Sequence, residues 1–191
     1  LNSLEFTEFL PRAQFQQMKA SFPANDLYCD DLEYKSLIAG NEYWYKFHKM
    51  IFSKSFWEFY LPTINVYSFS PLYREHKSGA MDPRERRPFL YSRIDILTER
   101  QSTSGIHIDE KQRICTGVLC FTNHWELDGG ELILCHPDGR AKKTIKFEDN
   151  LCTVNHQDSE GHHYSSPMKR GIKRFVQFSL NATWAFYKRN L

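Results

Sequence analysis

From Ile64 onward the chain breaks into about ten short apolar or alternating stretches separated by turn signals. They lie at 64–70, 88–98, 104–109, 114–122, 131–136, 142–148, 151–155, 162–166, 173–180 and 183–188. Asp128-Gly129-Gly130 and Asp138-Gly139 supply turns between them. Short strands at such regular spacing predict a mainly β chain, a sandwich or jelly roll. Before residue 63 the texture is helical. Pro11 opens a helix that Pro23 closes, with Phe15, Met18 and Phe22 on one face. Trp44, Phe47 and Ile51 repeat that spacing between Glu42 and Ile51. Ser55 and Glu58 form a capping box for a further short helix carrying Trp57 and Tyr60. The expected organisation is a single domain, with 1–63 as helical support and 64–191 as the β core. Residues 71–88 are charged and aperiodic and are read as a loop, a lid over a pocket being one use for it.

Composition narrows the class. With 41% hydrophobic and 25% charged residues, the 191-residue chain has an ordinary globular balance. A net charge of +2 is too small for a nucleic-acid or anionic-membrane footprint. No apolar run approaches the ~20 residues of a membrane span. Five cysteines without a Cys-x-x-Cys pair read as small core residues in a reducing compartment, so a cytoplasmic location is expected.

The chemistry centres on His107-Ile108-Asp109, within GIHID. Strand side chains alternate, so residues two apart share a face. An imidazole and a carboxylate then project together, two thirds of a facial 2-His-1-carboxylate iron site. The chain holds three His-x-Asp triplets. His136-Pro137-Asp138 runs into a turn and His156-Gln157-Asp158 lies in a polar loop. Only His107 leaves room for intervening strands before another histidine, His163, 56 residues later. Pro167 follows His163, and Arg174 opens the apolar strand RFVQFSL. His124, His136 and His156 read as turn or loop residues, and Arg113 as a surface turn residue. Arg93, mid-strand in YSRIDIL, stands open between a solvated edge position and a pocket residue meeting a polar or anionic substrate.

The order His-x-Asp, distal His, then a basic residue about ten positions on resembles the Fe(II)- and 2-oxoglutarate-dependent dioxygenases. The segment ICTGVLCFTNHWELDGGELIL adds to it, with an apolar strand ending in Asn123, then Trp125 and an acidic-Gly-Gly turn. The likeness covers residues 88–186 and is closest to the prolyl-hydroxylase-like branch. It implies a double-stranded β-helix (jelly roll) with N-terminal supporting helices. His107, Asp109 and His163 would bind Fe(II), and Arg174 would anchor 2-oxoglutarate. Many relatives carry a tyrosine where this chain has Phe121, so Tyr91 is the alternative hydroxyl for the cosubstrate. Arg93, Asn123 and Trp125 are the expected substrate-pocket residues. His162 adjoins His163, and the spacings to Pro167 and Arg174 favour His163. The implied reaction consumes O2 and 2-oxoglutarate and hydroxylates an unactivated C–H bond. Asp109 argues against halogenation, while desaturation and cyclisation stay open. Leu180 stands where nucleic-acid demethylases carry a second arginine. A small-molecule substrate is favoured, with a protein or sugar residue as the alternative. Two other classes stay in view: a non-catalytic jelly-roll binding module, and a cupin-like metalloenzyme that does not use 2-oxoglutarate.

Overall fold

The computed structural model describes residues 3–23, 27–28, 31–60, 69–70, 90–99, 105–109, 113–156 and 161–182. The expected strands at 64–68 and 183–188, and the loop at 71–88, lie outside the described residues. Four helices come early: α1 (Arg12–Ala20), α2 (Asp31–Gly40), α3 (Glu42–Ile51) and α4 (Lys54–Tyr60). The strands are β1 (Ser3–Phe6), β2 (Leu27–Tyr28), β3 (Phe69–Ser70), β4 (Leu90–Glu99), β5 (Arg113–Cys120), β6 (Leu132–Cys135), β7 (Ala141–Ile145), β8 (Cys152–His156), β9 (His163–Ser165) and β10 (Lys173–Ala182). The larger sheet runs β1-β8-β5-β10-β4-β2, with β3 beside β4, and the smaller runs β7-β6-β9. All pairings are antiparallel except β3 with β4.

Alternation gives the larger sheet two different faces. Ile94, Ile96, Cys115, Leu119, Val154, Val176, Phe178 and Leu180 turn outward into the helical layer. Phe15 and Met18 of α1, Trp44, Phe47 and Ile51 of α3, and Trp57 of α4 meet them, each 2% exposed or less. Burying each such side chain is worth ~1.5–3 kcal/mol. The aromatic stripes read in the sequence are therefore the cover of one sheet face. Phe178 lies directly opposite Gly117, and its ring fills the space a Cβ there would need. The other face carries Leu97, Cys120 and Phe175, which pack with Phe147 and with Leu132 of the smaller sheet. Between the two sheets lies the cavity described below.

Three local expectations are corrected. The strand expected at 104–109 is, over the described residues 105–109, a single bridge at His107 and no strand. Asn41 caps α3, its side chain accepting from the Tyr43 and Trp44 N–H groups, but α4 is not capped by Ser55. The Ser53 hydroxyl accepts the Phe56 N–H, and Glu58 pairs with Lys54 at 3.1 Å. His156 ends β8, so it is not a loop residue. Helix α2 and strand β1 were not anticipated. Four cysteines, 115, 120, 135 and 152, are buried free thiols; Cys29 lies outside the described residues. Burial pushes the Cys115 thiol up to about 12 and raises Cys120 and Cys152 well above the ordinary thiol value. They are packing residues. Among the described residues no helix is long and apolar enough to cross a membrane.

Candidate metal centre

His107 and His163 face each other across a two-residue antiparallel bridge. The His107 N–H donates to the His163 carbonyl at 3.0 Å, and the His163 N–H returns a bond of 2.9 Å to the His107 carbonyl. Residues opposed in this way share a face, and the ring centroids are 4.4 Å apart. Asp109, two residues beyond His107, joins them. One ligand atom from each of the three lies within 4.8 Å of the others. His162 falls outside the cluster.

The imidazoles are prepared as ligands. His107 Nδ1 is 2.7 Å from the Gly105 carbonyl, and His163 Nδ1 is 2.9 Å from the Gly161 carbonyl. A carbonyl only accepts, so both Nδ1 atoms carry the proton and both Nε2 lone pairs are left for a metal. Burial holds the His163 pKa below its usual value, which favours the neutral, ligating form. Asp109 is fixed from two sides. Thr116 Oγ1 donates to Oδ2 at 2.8 Å, and Arg113 Nη1 donates to Oδ1 at 2.9 Å. Arg113 is thus no surface turn residue: its side chain is only 13% exposed and it opens β5 as the counter-ion of Asp109. Each carboxylate oxygen has a second lone pair, so these bonds orient Asp109 without using up its coordinating capacity. Two imidazoles that leave Nε2 free and one carboxylate on one face make a donor set suited to a ferrous ion with open positions.

The trio stands at one end of a cavity of about 180 Å³. Thr116, Asn155 and Gln177 line it near the trio, and Leu97, Val118, Leu132, Phe147 and Phe175 make the apolar part. Asn155 Oδ1 is buried with no partner among the described residues. At the far side sits Lys173, 1% exposed, its Nζ 5.0 Å from the Phe147 ring centre and 5.1 Å from that of Phe175. Glu99, directly opposite on β4, pairs with it at 2.9 Å.

This corrects the expectation for Arg174. Lys173, Phe175 and Gln177 of β10 line the cavity, while Val176 and Phe178 belong to the helical side. Arg174 alternates with the second set, so its guanidinium is directed away, and the cation facing the cavity is the ammonium one residue earlier. Asn123 and Trp125 are not among the described residues lining the cavity either. Asn123 caps a 3-10 turn with Glu126 and accepts the Asp149 N–H at 2.9 Å. Trp125 in that turn is 69% exposed. Arg93 lies on an interior strand, not an edge, held by Asp95 at 2.9 Å, and does not line the described cavity. The Tyr91 side chain lies outside the described residues. Sequence reasoning missed Thr116, Arg113, Glu99 and Lys173.

No family model matches the sequence, and no curated protein matches it. Solved structures do match. A viral collagen prolyl hydroxylase from Paramecium Bursaria Chlorella virus-1, in complex with 2OG, is similar with a TM-score of 0.55 at 13% identity, covering 94% of this chain and 96% of that one. A Pseudomonas putida prolyl-4-hydroxylase gives 0.53 at 14% identity, over 94% and 92%. This chain shares their fold. The likeness to the 2-oxoglutarate oxygenases read from the sequence therefore holds at the level of architecture, with prolyl hydroxylases among the structures that match. A non-heme alpha ketoglutarate dependent epimerase, SnoN from nogalamycin biosynthesis, is also similar, with a TM-score of 0.52 at 10% identity over 94% and 76%. One fold thus carries more than one reaction, and function must be argued from the site.

Proposed function

We propose that this protein is a non-haem Fe(II)- and 2-oxoglutarate-dependent dioxygenase built on a double-stranded β-helix, and that it hydroxylates an unactivated C–H bond. The observation that carries the reading is one cavity with His107, Asp109 and His163 at one end and a sealed ammonium, Lys173, at the other. The two imidazoles and Asp109 would hold the ion. Lys173 would receive the far carboxylate of 2-oxoglutarate, a charge-assisted contact in an apolar surround. When bound, the ferrous ion and 2-oxo acid supply the O2-dependent oxidation that converts the cosubstrate to succinate and CO2.

The chain's own residues do the positioning. Gly105 and Gly161 fix the imidazole tautomers, Thr116 and Arg113 fix the carboxylate, and Val118, Phe147 and Phe175 keep water from the cosubstrate's methylene carbons. A small molecule is the favoured substrate, with protein or sugar residues as the alternative.

Anaerobic titration with Fe(II) and 2-oxoglutarate tests the reading. A visible metal-to-ligand charge-transfer band is expected, abolished by His107→Ala or His163→Ala. A metalloenzyme that does not use 2-oxoglutarate would bind the ion and give no band, and a binding module would do neither. Screening candidate compounds for stimulated succinate release would then identify the substrate class.

A further inference from the structure

Lys173 does not wait in the cavity as a bare cation. Its Nζ lies 2.9 Å from Glu99 Oε2, and the two residues are direct cross-strand neighbours at the end of the β4–β10 ladder. The Lys173 side chain is 2% exposed and lies against two ring faces, whereas the Glu99 side chain is 26% exposed and borders the cavity. The amine is the deeply buried member of the pair and the carboxylate the more exposed one.

A dicarboxylic 2-oxo acid reaching from the trio to Lys173 would set a second carboxylate beside Glu99. Two carboxylates would then share one ammonium. Their repulsion is less screened than between two exposed groups, because they meet at an ammonium whose side chain is 2% exposed. We propose that Glu99 is an internal competitor for Lys173: it neutralises the ammonium in the empty cavity, and 2-oxoglutarate must displace it to bind. This rests on the reading of Lys173 as the cosubstrate anchor. Glu99 weakens cosubstrate affinity below what Lys173 alone would give, so occupancy responds to the cosubstrate concentration over a higher range. A 2-oxo acid with no second carboxylate does not contend with Glu99 at all.

The test uses the full chain loaded with Mn(II) and isothermal titration with two ligands, 2-oxoglutarate and pyruvate. Glu99→Gln keeps the shape and removes the charge; Glu99→Ala removes both. Freeing a charge-assisted partner corresponds to ~10-fold tighter 2-oxoglutarate binding in each variant. Pyruvate and Mn(II) affinities stay at the wild-type values, and thermal unfolding confirms that the variants are folded. Unchanged or weaker 2-oxoglutarate binding in Glu99→Gln would overturn the proposal, since Glu99 would then be a bystander or a support for Lys173. Lys173→Met separates this from failure of the parent reading. If 2-oxoglutarate binds wild type and Lys173→Met equally, or binds neither, the anchor assignment falls and the role of Glu99 falls with it. If only Lys173→Met loses binding, the anchor stands and Glu99 is judged on its own variants.

Discussion

Replacing Lys173 with methionine removes the ammonium that lies over the Phe147 and Phe175 rings and keeps most of its stem. Two consequences can be sized separately. Breaking a buried ion pair by deleting one partner costs ~3–5 kcal/mol when the survivor is sealed. Glu99 is 26% exposed and borders a cavity, so it can turn to solvent, and the cost falls to ~1–3 kcal/mol. For a chain of this length that is a drop of about 4–8 °C in Tm at the middle of the range. Binding should suffer more, because the ligand's carboxylate would be left in an apolar pocket. Truncating one member of a buried, hydrogen-bonded charge pair costs ~2–4 kcal/mol, or roughly 30- to 700-fold in affinity. The assay is the anaerobic charge-transfer titration with 2-oxoglutarate, beside a thermal melt. Lys173→Met/Glu99→Gln should recover part of the lost stability and none of the affinity. Arg174→Met is the matched control: it lies on the other face of β10, so stability should change by less than ~0.5 kcal/mol and affinity not at all. A large loss of affinity in Arg174→Met with none in Lys173→Met would refute the assignment of faces on β10.

Thr116→Val deletes the 2.8 Å bond to Asp109 Oδ2 at nearly constant volume and should weaken divalent-metal affinity ~10-fold, read by equilibrium dialysis against Mn(II). Gly129 has φ +90°, and a Cβ there would strike the Pro167 carbonyl; Gly129→Ala should cost well over ~1 kcal/mol in urea unfolding. His48 is held below the usual 6.5, chiefly by burial, and its Nδ1 lies 2.9 Å from the Tyr34 hydroxyl. As pH falls through 6.5 the unfolded chain takes up a proton that the folded chain resists, so stability is full above that pH and declines below it. Melting curves from pH 7.5 to 5 should show a shallower decline in His48→Gln, and an unchanged slope would remove His48 from the account.

What could be read from the sequence follows from how far each signal reaches along the chain. Helix α3 was legible over Glu42–Ile51, because Trp44, Phe47 and Ile51 mark one face; its Asn41 cap was not read. Helix α2 was not: among its described side chains the buried side offers Tyr34, Leu37 and Ile38 beside a run ending in Gly40, a stripe too short to stand out. Strand β1 has four residues and earns its place only by pairing with β8, which no local pattern announces. The meeting of His107, Asp109 and His163 was legible because the i, i+2 rule is local and only one distal histidine was well spaced. Arg174 failed for the same period of two. Lys173 and Arg174 are adjacent, so choosing between them requires knowing which face of β10 meets the cavity, and that is fixed by the helices covering the opposite face. Trp125 and Asn123 misled because an aromatic and an amide beside a turn look alike whether they line a pocket or close a loop.

The site depends on two registers set in different sheets. The His107–His163 bridge belongs to the side of the smaller sheet, where β9 pairs with β6, and it alone decides that His163 and not His162 meets Asp109. The Lys173–Glu99 rung belongs to the larger sheet, and with the helices on the opposite face it sets which cation faces inward. Between them the chain crosses from one sheet to the other in residues 166–172. That crossing is pinned in the middle by the Asp128–Arg170 bridge: the Asp128 N–H donates to the Arg170 carbonyl at 2.9 Å, and the Lys169 N–H donates to the Asp128 carbonyl at 2.7 Å. The pin leaves no slack for either strand to slip by one residue. A slip of β9 would lose the metal trio and keep the ammonium, and a slip of β10 would do the reverse. The acidic-Gly-Gly turn that first looked like a family signature thus has a physical task, since Asp128 holds Lys169 and Arg170 in the segment that joins the strand carrying a metal ligand to the strand carrying the amine.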